Sequence, residues 1–206
     1  MKKHLFVYGT LKKGFHNHIF LKDCKMTGHL KLKHYALVDL GHGFPYMIES
    51  TKHEWVYGEV YEVNRAILKR IDLLEGVPYH YQRQNMLLDT PEGKPINTYY
   101  YVSNLKDVEH LKVKDNYWAP SKAYSTVFDV IVDGREYSDT ADKIVFHMRF
   151  FDGDRTPTNK DYMKLVKARS HLPINIDSEN LFLLDCIHYG IVKYIDYKYI
   201  NNVNKQ

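Results

Sequence analysis

The chain has little that would cross-link it, anchor it or draw it to a polyanion. Only two of its 206 residues are cysteines, Cys24 and Cys186, and no CxxC spacing occurs. That excludes a disulfide framework and gives no zinc signature. Two lone thiols fit a reducing compartment, so a cytoplasmic location is expected. No apolar run approaches the length of a membrane span, and Met1-Lys2-Lys3-His4 leads straight into a strand without a signal-peptide core, so no membrane role is expected. The formal net charge is only +4, and no basic block exceeds Lys12-Lys13. Scattered lysines of this kind read as a solvated surface, and nucleic-acid binding is not indicated. No repeat or low-complexity linker divides the chain.

What is present is apolar and aromatic. A hydrophobic content of 44% supports a real core, and the 18 tyrosines suit strand-rich folds and polar pockets. Leu5 to Tyr8 reads as a strand that Gly9 breaks, and Gly14 ends the basic turn Thr10-Leu11-Lys12-Lys13. A strand stopped at a glycine leaves backbone N–H groups in need of partners, and an anion is one candidate. His16-Asn17-His18 leads into a short helical turn capped at Asn17, and no third ligand at metal spacing accompanies the histidines. Strands follow around Leu30, Leu32 and Tyr35–Val38. Gly41-His42-Gly43-Phe44-Pro45 marks an irregular loop, and Tyr46–Ile48 resumes extended structure. Val56 to Val63 alternates, and Gly58 inside it allows a close approach by another backbone or a ligand.

The period then changes. Asn64 reads as an N-cap, and Ile67, Leu68, Ile71 and Leu74 share one helical face. Gly76 stands where a glycine C-cap belongs, and Pro78 stops any continuation. Glu75 therefore sits in the last helical turn, where the macrodipole disfavours a carboxylate. An acid placed at a local cost beside Leu73 and Leu74 is the residue that asks for a chemical explanation. Asp72, one turn away, reads as a surface or supporting residue.

Further on, Met86–Leu88 and Asn97–Val102 form a hairpin about Thr90-Pro91-Glu92-Gly93-Lys94. Pro120-Ser121 opens an expected helix with Tyr124, Val127, Phe128 and Ile131 on one face, closed by Asp133-Gly134. Lys143–Phe151 is expected as a strand, Asp152-Gly153-Asp154 as a turn, and Asn159–Arg169 and Leu181–Ile195 as helices.

Three segments together, Val7-Tyr8-Gly9-Thr10-Leu11, Leu74-Glu75-Gly76 and Pro120-Ser121-Lys122-Ala123-Tyr124, resemble the gamma-glutamylcyclotransferase-like superfamily, and most its gamma-glutamylamine cyclotransferase and AIG2-like branch. Asn17-His18 and the run Tyr79 to Arg83 fit the same branch. The resemblance covers about residues 4 to 135. It implies an α+β fold, a small mixed β-barrel flanked by helices, over residues 1–138. Residues 139–206 would be an α/β C-terminal extension of unknown role. It implies ring closure of a gamma-glutamyl amine or amide to 5-oxoproline, with release of the amine or amino acid. The partner is then a small gamma-glutamyl substrate, with no cofactor and no metal, and a homodimer is left open. Glu75 is the implied general acid/base. Tyr8, Gly9, Thr10 and Leu11 are implied to bind substrate through their backbone, with Tyr124 and Tyr81 as side-chain contacts. The rival expectation is a non-catalytic module that holds a metabolite or protein on the same fold, with the extension as its interaction part.

Overall fold

The structure, a computed structural model, describes residues 2–52, 54–90, 93–113, 116–119, 124–150 and 179–201. The chain divides into two compact units, Met1–Ala119 and Pro120–Gln206.

In the first unit, strand β1 (Lys3–Val7) lies in the middle of a five-stranded sheet. It runs antiparallel to β5 (Trp55–Val63) and parallel to β7 (Ile96–Ser103). Strand β2 (Met26–Lys33) borders β5, and β6 (Tyr81–Leu88) borders β7, giving the order β2-β5-β1-β7-β6. Strands β3 (Tyr35–Asp39) and β4 (Pro45–Glu49) form a separate hairpin. No ladder among the described residues joins β2 to β6. The strands thus make an open sheet and a hairpin, and the closed small barrel implied by the resemblance is not formed by these ladders.

Alternation along the strands fills both faces. Phe6, Tyr8, Leu30, Leu32, Val56, Val60, Tyr100 and Val102 pack with Tyr35, Leu37 and Met47 of the hairpin. Leu5, Val7, Tyr61, Val63 and Tyr101 pack on the other side with Leu68 and Ile71 of helix α1 (Arg65–Leu74). Because β5 is covered on both faces, all but its two partly buried residues, Trp55 and Glu62, are buried. The close approach expected at Gly58 is present: a Cβ there would lie 2.3 Å from the carbonyl oxygen of Val7 and 2.6 Å from the Phe6 ring.

Asn64 caps α1 as expected, its Oδ1 accepting the Ile67 N–H at 2.9 Å. Asn17, by contrast, lies inside a 3-10 turn (His16–Phe20) rather than at its cap, and its Nδ2 donates to Thr10 Oγ1 at 3.0 Å. The Thr90–Lys94 turn falls partly outside the described residues.

The second unit corrects several expectations. Tyr124–Val132 is strand β8, not a helix, and it pairs antiparallel with β9 (Arg135–Thr140) and β10 (Lys193–Asn201). Asp133 (φ 48) and Gly134 (φ 82) are both left-handed, which makes them a hairpin turn rather than a helix end. Ala141–Phe150 is helix α2, not a strand: buried Ile144, Val145 and Met148 follow helical spacing. Helix α3 (Glu179–His188) stops at Gly190 (φ 70), and Ile195, expected on that helix, lies on β10. The second unit contains an antiparallel sheet in the order β10-β8-β9, to which the extension expected over residues 139–206 contributes β10 and the end of β9. The turn at Asp152–Asp154 and the helix expected at Asn159–Arg169 lie outside the described residues. Among the described residues, no helix is long and apolar enough to cross a membrane.

Gly58→Ala should destabilise the protein by about 1–3 kcal/mol or more, because the added methyl meets backbone and not a flexible side-chain tip. Thermal denaturation with circular dichroism checks this, and an unchanged Tm would contradict it.

Candidate active site

Five segments of the first unit meet at one small, open cleft. The end of β1 supplies Phe6 and Val7, and the segment beyond it Tyr8, Gly9, Thr10 and Leu11. The loop before β4 supplies Phe44, leading into Pro45 at the start of that strand. The end of α1 supplies Glu75, while β6 and β7 supply Tyr81 and Tyr101.

Glu75 gets its place from the way α1 terminates. Its N–H still donates to Ile71 O at 2.9 Å, and Gly76 then turns left-handed at φ +62. The Val77 N–H returns to Asp72 O at 3.0 Å and the Gly76 N–H to Leu73 O at 3.2 Å. This doubled closure is a Schellman motif, and it leaves Glu75 as the last residue with helical backbone. Burial raises the Glu75 carboxyl from 4.5 to about 7.

The neighbouring acid is differently placed. Asp72 Oδ1 accepts the Tyr101 hydroxyl at 2.8 Å, and its Oδ2 accepts from the Arg83 guanidinium. Both of its oxygens are engaged, so Asp72 braces Tyr101 and is paired with a cation, unlike Glu75. Tyr8 donates its hydroxyl to Tyr101 O at 3.0 Å. Burial, with smaller contributions from nearby charges, pushes the phenols of Tyr8, Tyr81 and Tyr101 well above their ordinary range. All three remain neutral hydroxyls at any pH where the protein works.

The turn after β1 is fastened from behind. Asn17 holds Thr10, and His18 Nδ1 donates to Leu11 O at 3.0 Å. The Lys13 N–H donates to Glu59 Oε2 at 2.9 Å, and the Lys12 N–H to Gly9 O at 3.1 Å. Among the described residues, no acceptor takes the N–H groups of Gly9, Thr10 and Leu11. A run of unspent donors on a braced turn suits an anionic oxygen.

The structure therefore brings Tyr8, Gly9, Thr10, Leu11, Glu75 and Tyr81 to one cleft. Tyr124 is the first residue of β8 and belongs to the second unit, and its side chain lies outside the described residues, as do residues 120–123. The sequence analysis missed Phe44, Pro45 and Tyr101, which reach the cleft only through long-range packing. It also missed Lys12 and Glu59, both 1% exposed. Lys12 Nζ donates to Trp118 O at 2.7 Å and lies 4.0 Å from the Tyr117 ring centre, and burial lowers it to about 8. The position of Glu59, between Tyr57 and Tyr61 on one face of a strand, was the available signal. Among the described residues, no group of three or more His, Cys, Asp or Glu side chains is placed to hold a metal.

A partly buried carboxyl, raised toward neutrality by desolvation, thus shares one small cleft with the backbone turn after β1. The comparisons give the chain a family. The model of the family described as "Gamma-glutamyl cyclotransferase, AIG2-like" matches residues 5–120, and the chain belongs to it. A protein of Methanocaldococcus jannaschii, provisionally named a gamma-glutamylcyclotransferase, is 43% identical over 102 residues, covering 48% of this chain and 82% of its own length. The gamma-glutamylaminecyclotransferase of Bos taurus is 34% identical over 130 residues, covering 57% of this chain and 77% of its own. The crystal structure of an AIG2-like protein from Mus musculus superposes with a TM-score of 0.50 at 25% identity, covering 59% of this chain and 97% of that one.

The raised Glu75 value has a consequence for stability. Its proton is held more tightly in the folded chain, so this contribution is complete below about pH 4.5 and is lost as pH rises through about 7. Glu75→Gln, which cannot ionise, should be more stable than the wild type at about pH 8 by up to roughly 3 kcal/mol and nearly equal to it at about pH 4. Urea denaturation of both proteins at the two pH values tests this. An identical pH dependence would show that the carboxyl is not buried.

Proposed function

We propose that the protein cyclises a gamma-glutamyl amine or amide to 5-oxoproline and releases the free amine or amino acid, with Glu75 as general acid and base. The observation that carries this reading is the Glu75 carboxyl, raised to about 7 by burial, in the cleft that Gly9, Thr10 and Leu11 also line. The nucleophile and the carbonyl are parts of one molecule, so the cleft mainly has to fold the substrate into a reactive conformer. Near neutral pH a useful fraction of Glu75 is ionised and takes a proton from the α-ammonium. The freed amine attacks the γ-carbonyl carbon, and the carbonyl electron pair moves to oxygen. Protonated Glu75 then gives its proton to the departing nitrogen as the C–N bond breaks and the carbonyl re-forms, and the second proton of the ring nitrogen passes through Glu75 to the released amine, which leaves as an ammonium. The atoms balance without water, metal or nucleotide.

In this reading the backbone turn carries the anionic parts of the substrate, and Tyr81 walls the glutamyl stem. Cys24 and Cys186 are free thiols, which supports a cytoplasmic place of action. Family membership and the names of the relatives support cyclotransferase chemistry.

Incubation with gamma-glutamyl-ε-lysine, gamma-glutamyl amino acids and glutathione, read by mass spectrometry, should yield 5-oxoproline from at least one of them. Glu75→Gln should keep the circular dichroism of the wild type and lose at least about 1000-fold in rate, the loss expected of the sole proton carrier. Turnover should fall on the acid side of about pH 7, as the base is protonated. Tight binding of a substrate without product would overturn the proposal in favour of a binding module.

A further inference from the structure

Three phenols line the cleft, and their hydroxyls are not equivalent. The Tyr8 O–H is spent on Tyr101 O, and the Tyr101 O–H on Asp72 Oδ1. Tyr81 also lines the cleft and is 6% exposed, yet no residue among those described takes its O–H. Its ring is held flat against Tyr46, with centres 5.7 Å apart and planes 10° apart, and Tyr46 is itself tied to His42 Nδ1 at 2.9 Å. The ring is fixed while its polar tip is unspent. Its hydroxyl opens on the cleft and can donate to a ligand oxygen that enters there.

The reaction proposed above presents two anionic oxygen groups to the cleft. The glutamyl α-carboxylate is charged from start to finish. The γ-carbonyl oxygen becomes an anion only in the tetrahedral stage. The braced turn offers contiguous N–H groups that suit a permanent carboxylate, and Glu75 lies close enough to Tyr81 for its charge to act on the phenol.

We infer that Tyr81 is a further catalytic residue: its hydroxyl donates a hydrogen bond to the γ-carbonyl oxygen as that oxygen gains charge, while the Gly9–Leu11 N–H groups hold the α-carboxylate. The inference rests on the cyclotransferase reading. Tyr81 moves no proton. It holds the oxygen as the C–N bond to the α-amine forms, and releases it when the carbonyl re-forms and the bond to the leaving nitrogen breaks.

A donor to a developing charge acts on the rate and not on ground-state binding. Tyr81→Phe keeps the ring and its stack on Tyr46. It should lower kcat about 10- to 100-fold, in the lower range for loss of one such donor, with KM within about twofold of wild type. A second substrate, the same gamma-glutamyl compound with its glutamyl α-carboxyl converted to a carboxamide, separates the two roles. The carboxamide should raise KM by the same factor in the wild type and in Tyr81→Phe, because a different group holds that end. An unchanged kcat in Tyr81→Phe would overturn the inference. A carboxamide penalty that disappears in Tyr81→Phe would also overturn it, by placing Tyr81 on the α-carboxylate. Absence of 5-oxoproline from the wild type would sink the underlying cyclotransferase reading and this inference with it, so the two failures are distinguishable.

Discussion

The left-handed backbone at Gly76 decides where the acid of this protein can be. Helix α1 is pinned at both ends, by the Asn64 side chain at its start and by the doubled closure onto Asp72 and Leu73 at its end. Leu68 and Ile71 lock its inner face to the sheet. With start, stop and rotation fixed, the last helical residue has one available position, and Glu75 fills it. A side chain at Gly76 would face a double penalty. The conformation disfavours any Cβ, and that Cβ would lie 2.6 Å from His80 Cδ2. The glycine therefore serves the carboxyl next to it, by letting the chain leave the helix without carrying Glu75 out of the cleft.

Strand β5 performs the matching task for the backbone donors. At Gly58 the lack of a side chain lets the carbonyl of Val7 come close, which sets the end of β1. At Glu59 the buried carboxylate takes the Lys13 N–H and the Tyr61 hydroxyl. One residue that is too small and one that is too polar for an ordinary core strand thus stand side by side where the turn must be shaped. Burying Glu59 carries a desolvation cost, and its hydrogen bonds offset part of it. The cost is borne at the back of the turn, so the front donors remain available for a ligand.

The parts of the fold that local rules govern were legible. The period of 3.6 in α1, the alternation in β5 and the glycine after Glu75 each gave the right element, and the glycine also gave the position of the acid. The failures came where two rules competed. Tyr124, Val127, Phe128 and Ile131 satisfy a helical face, but β-branched Val127, Val130 and Val132 and the Asp133-Gly134 pair are a strand and its hairpin turn. Lys143–Phe150 has strand-like composition but buries Ile144, Val145 and Met148 at helical spacing. Gly190 is the instructive case. It ends α3 through the same closure as Gly76, with Ile191 N–H on Cys186 O at 2.9 Å and Gly190 N–H on Ile187 O at 3.0 Å. An apolar period that continued by chance to Ile195 concealed a signal that was read correctly at Gly76. Phe44, Pro45 and Tyr101 were beyond local rules altogether. The Tyr8 hydroxyl reaches a residue 93 positions away, and only tertiary packing brings them together.

The same burial that makes Glu75 useful makes it a liability, and this tension explains the surrounding chemistry. A carboxyl raised to about 7 is one the fold holds poorly when charged. Pairing it with a cation would relieve the strain, but would also pull its value back toward the ordinary carboxylate range and end its use as a base at neutral pH. The molecule places its cations elsewhere. Arg83 is engaged by Asp72, and Lys12 is turned to Trp118 O and the Tyr117 ring. What surrounds Glu75 instead is neutral phenol and aromatic surface, which desolvates the acid without neutralising it. The cleft residues all belong to Met1–Ala119, and the family match ends at residue 120. The desolvation of Glu75 costs stability at neutral pH, and in the proposed cyclisation it is what would let the carboxyl take a proton from an amine that must lose it before it can attack.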